Sequence, residues 1–88
     1  MDDDLFSRSS FSIEKRLHEI SPGQSARIVR LSGRPEDRRR LLELGFTPGT
    51  VVTVRKTAPL GDPVEMTVRS YEVTMRAGVA ETICVSMI

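Results

Sequence analysis

The 88-residue chain has a single cysteine, no tryptophan, one tyrosine and three phenylalanines. Cys84 alone cannot close an internal disulfide, so packing must hold the fold together, as in proteins of reducing compartments. Because aromatics are scarce, the core must be built from Val, Ile, Leu and Met. We therefore expect a cytoplasmic protein with an aliphatic core.

The sequence also lacks a membrane span and a signal peptide. No apolar stretch approaches the roughly 18 residues that a spanning helix needs. The segment Met1–Asp4 carries three acidic residues where a signal peptide begins with basic ones. The net charge of +1 and the 28% charged fraction exclude a strongly basic nucleic-acid arm. We expect a protein that is neither inserted into a membrane nor secreted.

The length allows one small domain. Residues 1–12 contain few apolar positions and are interpreted as a flexible lead-in, so residues 13–88 form the single domain. Within it, three apolar positions at helical spacing predict a short first helix: Ile13, Leu17 and Ile20.

A second helix is predicted from Pro35 to Leu44. Proline at its first position and acidic residues in its first turn favour a helix start, and Gly45 is typical of a helix end. Three leucines are assigned to its buried face: Leu41, Leu42 and Leu44.

The remaining segments alternate polar and apolar residues and predict short strands. The first strand slips in phase near Ile28, which indicates a bulge. Ser70 is the expected tip of a hairpin, and one helical turn is expected within residues 78–82. The strands are expected at residues 24–31, 50–55, 64–69, 71–76 and 83–87. A mainly β fold with short helices, closed or half-closed as a small antiparallel barrel, accounts for this pattern.

The chain is poor in groups that carry catalysis. His18 and Cys84 are far apart in sequence, and a surface histidine with a small buried thiol is the favoured interpretation. We assign no catalytic residue, no metal ligand and no cofactor. The sequence leaves open a weak transition-metal site shared between copies, with His18 and a neighbour's carboxylates.

Two features are candidates for contact with a macromolecule. Residues 34–40 hold four arginines and two acidic residues, a charge of +2 without interleaved aromatics, so a solvated helix face is favoured over a nucleic-acid site. An acidic protein partner would suit that face equally well. The loop 58–63 contains two prolines and a glycine, which lower the entropy cost of holding one shape.

Several motifs together resemble the FeoA family. The first runs from Leu41 to Thr50 and reads LLELGFTPGT, and the second is the loop 58–63, APLGDP. The resemblance extends over the segment PGQSARI at residues 22–28 and the closing strand, and so covers the chain from about Ile13 onwards. Ser70 departs from the glycine that is frequent in this family at the hairpin tip.

The resemblance implies an SH3-like barrel and a small cytoplasmic accessory protein of bacterial ferrous iron uptake. Its implied partner is the membrane transporter FeoB, which has a GTPase domain. We expect the contact to involve Leu60, Gly61 and Asp62 in the loop, and Arg38 and Arg39 on the second helix. The alternatives are a small barrel that binds nucleic acid, or a metal-sensing regulatory module like the C-terminal domain of iron-dependent repressors. The oligomeric state is left open.

Overall fold

The structure is a computed structural model and describes residues 14–88. The predicted lead-in at residues 1–12, together with Ile13, lies outside this range.

Residues 14–88 form six antiparallel strands in one sheet, and the order of the strands in the sheet differs from their order in sequence. The strands are β1 (Glu14–Arg16), β2 (Ser25–Leu31), β3 (Val51–Thr57), β4 (Val64–Val68), β5 (Tyr71–Met75) and β6 (Ile83–Met87). They lie in the order β1-β6-β2-β3-β4-β5. Within the described residues the hydrogen-bonded ladder does not close, so β1 and β5 are its edges there. The small antiparallel SH3-like fold is therefore confirmed in its half-closed form.

Two short α-helices interrupt the strands in the described part of the chain. α1 spans Pro35–Glu43, with Pro35 at its first position and Leu44 as its C-cap, and α2 spans Ala77–Ala80. Gly45 follows α1 with φ of +104°, the left-handed conformation expected for the residue after a helix.

The predicted first helix is wrong. Residues Glu14–Arg16 form β1, which pairs with β6, and only Leu17–Glu19 are helical, as a single 3-10 turn. Leu17 and Ile20 are nonetheless buried, because a spacing of three suits a 3-10 turn as well as an α-helix. The segment ends at Pro22 after about two turns, too short to offset the cost of helix nucleation, so cross-strand pairing prevails.

The core is aliphatic, as the composition requires. Among residues 14–88, Phe46 is the one buried aromatic, and it is fully inaccessible to solvent among side chains from every strand except β1. Of the three leucines predicted to be buried on α1, only Leu41 is in the core. Leu42 and Leu44 are 43% and 37% exposed, because this short helix packs along a single narrow stripe.

The predicted phase slip in β2 is confirmed. The register of β2 against β6 shifts between Ile28 and Arg30, which places the bulge at Val29. The β4–β5 hairpin turns through two residues, Arg69 and Ser70, with φ of 49° and 75°. Ser70 therefore occupies the left-handed region that the glycine of related sequences adopts at lower cost.

The Arg69 side chain links this hairpin to the end of α1. Its Nε donates to the Gly45 carbonyl oxygen at 3.3 Å, and its Nη2 donates to the hydroxyl oxygens of Thr47 at 3.1 Å and Thr50 at 3.3 Å. A Cβ at Gly45 would lie 2.8 Å from Arg69 Cδ. Gly45 is thus required both for its backbone conformation and for the passage of this arginine.

Gly45→Ala is expected to lower the free energy of unfolding by about 1–3 kcal/mol, because the strained φ and the displaced Arg69 add together. Gly78→Ala is the matched control. Gly78 lies in α2 with open space around its Cβ position, so that change should be neutral or stabilising by up to about 1 kcal/mol. Urea unfolding of both variants measures the difference. Equal stabilities would contradict this role of Gly45.

Candidate partner-binding site

The loop between β3 and β4 is held by its own hydrogen bonds. The Gly61 N–H donates to the Ala58 carbonyl oxygen at 2.7 Å, which closes a tight turn, and the Ala58 N–H donates to the Pro63 carbonyl oxygen at 3.1 Å. Gly61 has φ of +86°. Pro59 and Pro63 remove further backbone freedom. The loop is therefore fixed in shape before any partner arrives.

Leu60 lies at the tip of that turn and is 96% exposed, the highest value among the large apolar side chains in the described part of the chain. Scattered surface leucines are ordinary in soluble proteins, but most keep part of their surface against neighbours. Full burial of a leucine side chain in a partner contributes about 1.5–3 kcal/mol. Leu60 is thus placed to insert into an apolar pocket.

Asp62 connects the loop to α2. Its Oδ1 accepts a hydrogen bond from the Ala77 N–H at 2.9 Å, which satisfies a backbone donor at the start of that helix. Asp62 and Pro63 also line an open cleft of about 370 Å³ together with Arg76. Asp62 therefore supports the loop, and its other carboxylate oxygen remains available at the surface.

The second predicted surface lies on α1. Arg38 is occupied locally, because its Nη1 donates to the Gly33 carbonyl oxygen at 2.7 Å. Arg34 is occupied as well, at 3.2 Å from Asp37. Arg39 and Arg40 are exposed, and neither forms an ion pair with any residue from 14 to 88. Because the Gly33 carbonyl is neutral, three charges of the basic run have no ion pair within that range, those of Arg38, Arg39 and Arg40, which is few for a nucleic-acid surface.

Leu42 belongs to this surface, although the sequence pattern assigned it to the core. It lies four residues after Arg38 and three after Arg39, so the three side chains share one helix face. Its 43% exposure makes the face mixed, with cationic groups beside an apolar one. The signal in the sequence was the adjacency of Leu41 and Leu42, which a narrow buried stripe cannot accommodate together.

The fold does not bring the two predicted surfaces together. α1 precedes the start of β3, and the loop with Leu60 follows its end. The strand between them, β3, has seven residues and is about 20 Å long. A partner that contacts both must therefore span β3.

The groups considered for metal binding are also separate. His18 is exposed on the 3-10 turn, and Cys84 is buried on the outer side of β6, opposite Arg16 on β1 and Arg30 on β2. Within residues 14–88 no three His, Cys, Asp or Glu side chains are grouped so as to hold a metal ion. No helix in that range is long and apolar enough to cross a membrane.

A six-stranded half-open sheet with a short helix after its second strand defines a small SH3-like domain. The FeoA domain family model matches residues 15–87. The chain therefore belongs to the FeoA family, as the motif resemblance indicated, and that family is associated with ferrous iron transport.

Three relatives illustrate the match. A protein of Porphyromonas gingivalis, a fusion of Fe(2+) transport protein A and the Fe(2+) transporter FeoB, is 44% identical over 73 residues, which are 83% of this chain and 9% of the fusion. The chain thus spans about a tenth of that relative. The solution structure of FeoA from Chlorobium tepidum is 36% identical with a TM-score of 0.79, covering 84% of this chain and 70% of that one. Zinc-bound FeoA from Stenotrophomonas maltophilia, described as an SH3 domain protein, is 27% identical with a TM-score of 0.70, covering 78% and 86%.

The same fold occurs in metal-dependent repressors. IdeR of T. acidophilum is 21% identical with a TM-score of 0.75 over 85% of this chain and 34% of its own. At that identity the likeness concerns the fold alone.

Asp62→Ala is expected to lower the free energy of unfolding by about 0.5–2 kcal/mol, because the Ala77 N–H loses its acceptor. Asp62→Asn keeps an oxygen at that position and should retain most of the stability. Urea unfolding of the two variants tests the contact. If Asn and Ala were equally destabilising, the carboxylate would have another role.

Proposed function

We propose that this protein is a cytoplasmic accessory subunit of bacterial ferrous iron uptake that binds the cytoplasmic side of a FeoB-type transporter. It acts through protein contact and has no catalytic step of its own. Ferrous iron is the cargo of the transporter in this account, and the chain need not hold it.

The observation that carries the proposal is the pre-formed loop with Leu60 at its tip. Two internal hydrogen bonds and two prolines fix the loop, so little conformational entropy is lost when a partner binds. An exposed apolar anchor on a rigid support is typical of the residues that dominate binding energy at interfaces. Gly61 permits the turn, and Asp62 secures it to α2.

The choice of partner is supported by the relative in which Fe(2+) transport protein A and FeoB form one chain. Fusion raises the effective concentration of one part near the other, which is useful when the separate parts associate weakly. A weak complex agrees with a contact centred on a single leucine.

The α1 face is proposed as a second contact. Arg39 supplies a positive charge that steers an acidic surface of the transporter, Leu42 adds apolar area, and Arg38 holds the start of the helix in place. The strand between the two surfaces, β3, is about 20 Å long, a span that fits within one interface of ordinary size.

Leu60→Ala is expected to weaken binding to the full-length transporter about ten- to hundredfold, because most of the apolar anchor is lost. The thermal midpoint should not change, since the side chain is 96% exposed and packs against almost nothing within residues 14–88. Val29→Ala, a partly exposed apolar residue at the β2 bulge, is the control. Titration calorimetry with transporter in detergent, with and without guanine nucleotide, gives the affinities.

Equal affinities for wild type, Leu60→Ala and Val29→Ala would place the interface away from the loop. Absence of binding by the folded wild-type protein under every condition would contradict the proposed function itself.

Arg39→Glu is expected to slow association with the transporter several-fold at low salt and to have less effect at high salt, as exposed charges behave. Lys15→Glu changes the net charge equally on the far edge strand β1 and should have little effect. Stopped-flow association rates at two salt concentrations separate the variants. Equal slowing by both would show that only net charge matters.

A further inference from the structure

The edge strand β5 exposes backbone groups suited to pairing with another strand. The two-residue turn at Arg69 and Ser70 makes Val68 and Tyr71 the hydrogen-bonded pair that closes the hairpin. Because such pairs alternate along a ladder, the N–H and C=O groups of Glu72 and Thr74 point away from β4. Neither residue forms a backbone hydrogen bond outside that ladder with any other residue between 14 and 88.

β5 lacks several of the features that usually prevent edge pairing, and its one charged side chain, Glu72, lies 3.5 Å from Arg55 of the same chain. Its sequence, YEVTM, has no proline and no lysine, and its register against β4 has no bulge. The opposite edge, β1, is only three residues long and consists of exposed charged side chains, EKR. The two edges therefore differ, and within residues 14–88 β5 is the edge that is better suited to pairing.

The core-facing side of β5 is incompletely covered. Tyr71 is 41% exposed and Val73 is half-buried, although they pair directly with the buried residues Val68 and Met66 of β4 and so share their core-facing side. Edge strands that leave apolar side chains open in this way gain burial when a neighbouring strand is added.

The side chains of β5 select a self-complementary register. In antiparallel pairing of two copies about a two-fold axis at Thr74, Glu72 of each copy faces Arg76 of the other, and Val73 faces Met75. The same pairing with the axis at Glu72 would place Glu72 of one copy directly opposite Glu72 of the other, and the two negative charges would repel. With the axis at Val73, Glu72 would face Thr74 and would have no opposite charge across the seam. The register at Thr74 therefore combines opposite charges with apolar contacts.

We propose that two copies of this protein associate through β5, in antiparallel register about Thr74, to form one continuous twelve-stranded sheet. An isologous interface requires such self-complementarity, since each residue meets its partner twice. The area of a single strand pair is small, so the dimer is weak, with a Kd from about 10 μM to about 1 mM. The seam passes beside the cleft at Asp62, because Arg76 belongs to both.

Sedimentation equilibrium of the full chain, at concentrations up to about 1 mM, tests the association. The average mass of wild type should rise towards that of a dimer. Thr74→Pro removes the central outward N–H without costing an intrachain ladder bond and should remain monomeric. Thr74→Ala, which keeps the N–H, should dimerise. Circular dichroism establishes that the variants are folded.

A charge exchange tests the register independently of proline. Glu72→Arg should weaken the dimer about tenfold or more, since the new arginine would face Arg76 of the other copy and the two positive charges would repel. The double variant Glu72→Arg with Arg76→Glu should restore the dimer to within about threefold of wild type. Failure of the double variant to recover would overturn the register.

Amide hydrogen exchange decides what covers the edge. Protection of the Thr74 amide should increase with protein concentration in wild type. Monomeric wild type at all concentrations, or dimerisation of folded Thr74→Pro, would overturn the proposal. So would protection that is independent of concentration, which assigns the edge to residues 1–13, or protection that arises only when transporter is added.

Discussion

The insertion of β6 between β1 and β2 is the constraint on which the rest of the structure depends. The last strand, Ile83–Met87, supplies buried Ile83 and Val85 and is hydrogen-bonded on both sides. It thereby joins the two ends of the described chain. Because both edges of β6 are paired, with β1 and β2, β6 cannot also pair with β5 and close the barrel. No strand within residues 14–88 lies beyond β5 at the other end of the sheet. Within the described residues, the half-open sheet and the unpaired edge at β5 therefore have the same origin.

The proposed binding surfaces follow from this arrangement. β2 to β5 form a meander whose connections project from opposite ends of β3, one as α1 and the other as the loop 58–63. The loop is fixed by the turn at Gly61 and by the hydrogen bond between Asp62 and the Ala77 N–H. These contacts hold the exposed leucine in place without burying it in the core. A domain with a small aliphatic core can therefore present a defined contact, provided that its loops rather than its sheet determine the shape of the surface.

Local patterns in the sequence predicted most of the strands, the bulge at Val29, the left-handed Gly45 and the loop, because each depends on neighbouring residues. The first helix was predicted wrongly, since the spacing of Leu17 and Ile20 fits two kinds of helix and the pairing of Arg16 with Cys84 is a contact between the ends of the chain. The exposure of Leu42 and the position of β5 at an edge depend on the order of the strands, which no local pattern specifies. The contact of Arg69 with Gly45 could not be predicted either, because it also depends on how distant segments of the chain are arranged.

The most direct test of the proposed function is a titration of the isotopically labelled full chain with the full-length transporter, followed by amide chemical shifts. The account predicts that the largest changes fall on Leu60 to Asp62 and on Ala77, with a second group at Arg39 and Leu42. Changes confined to β1 and the outer side of β6, or none while both proteins are folded, would contradict it.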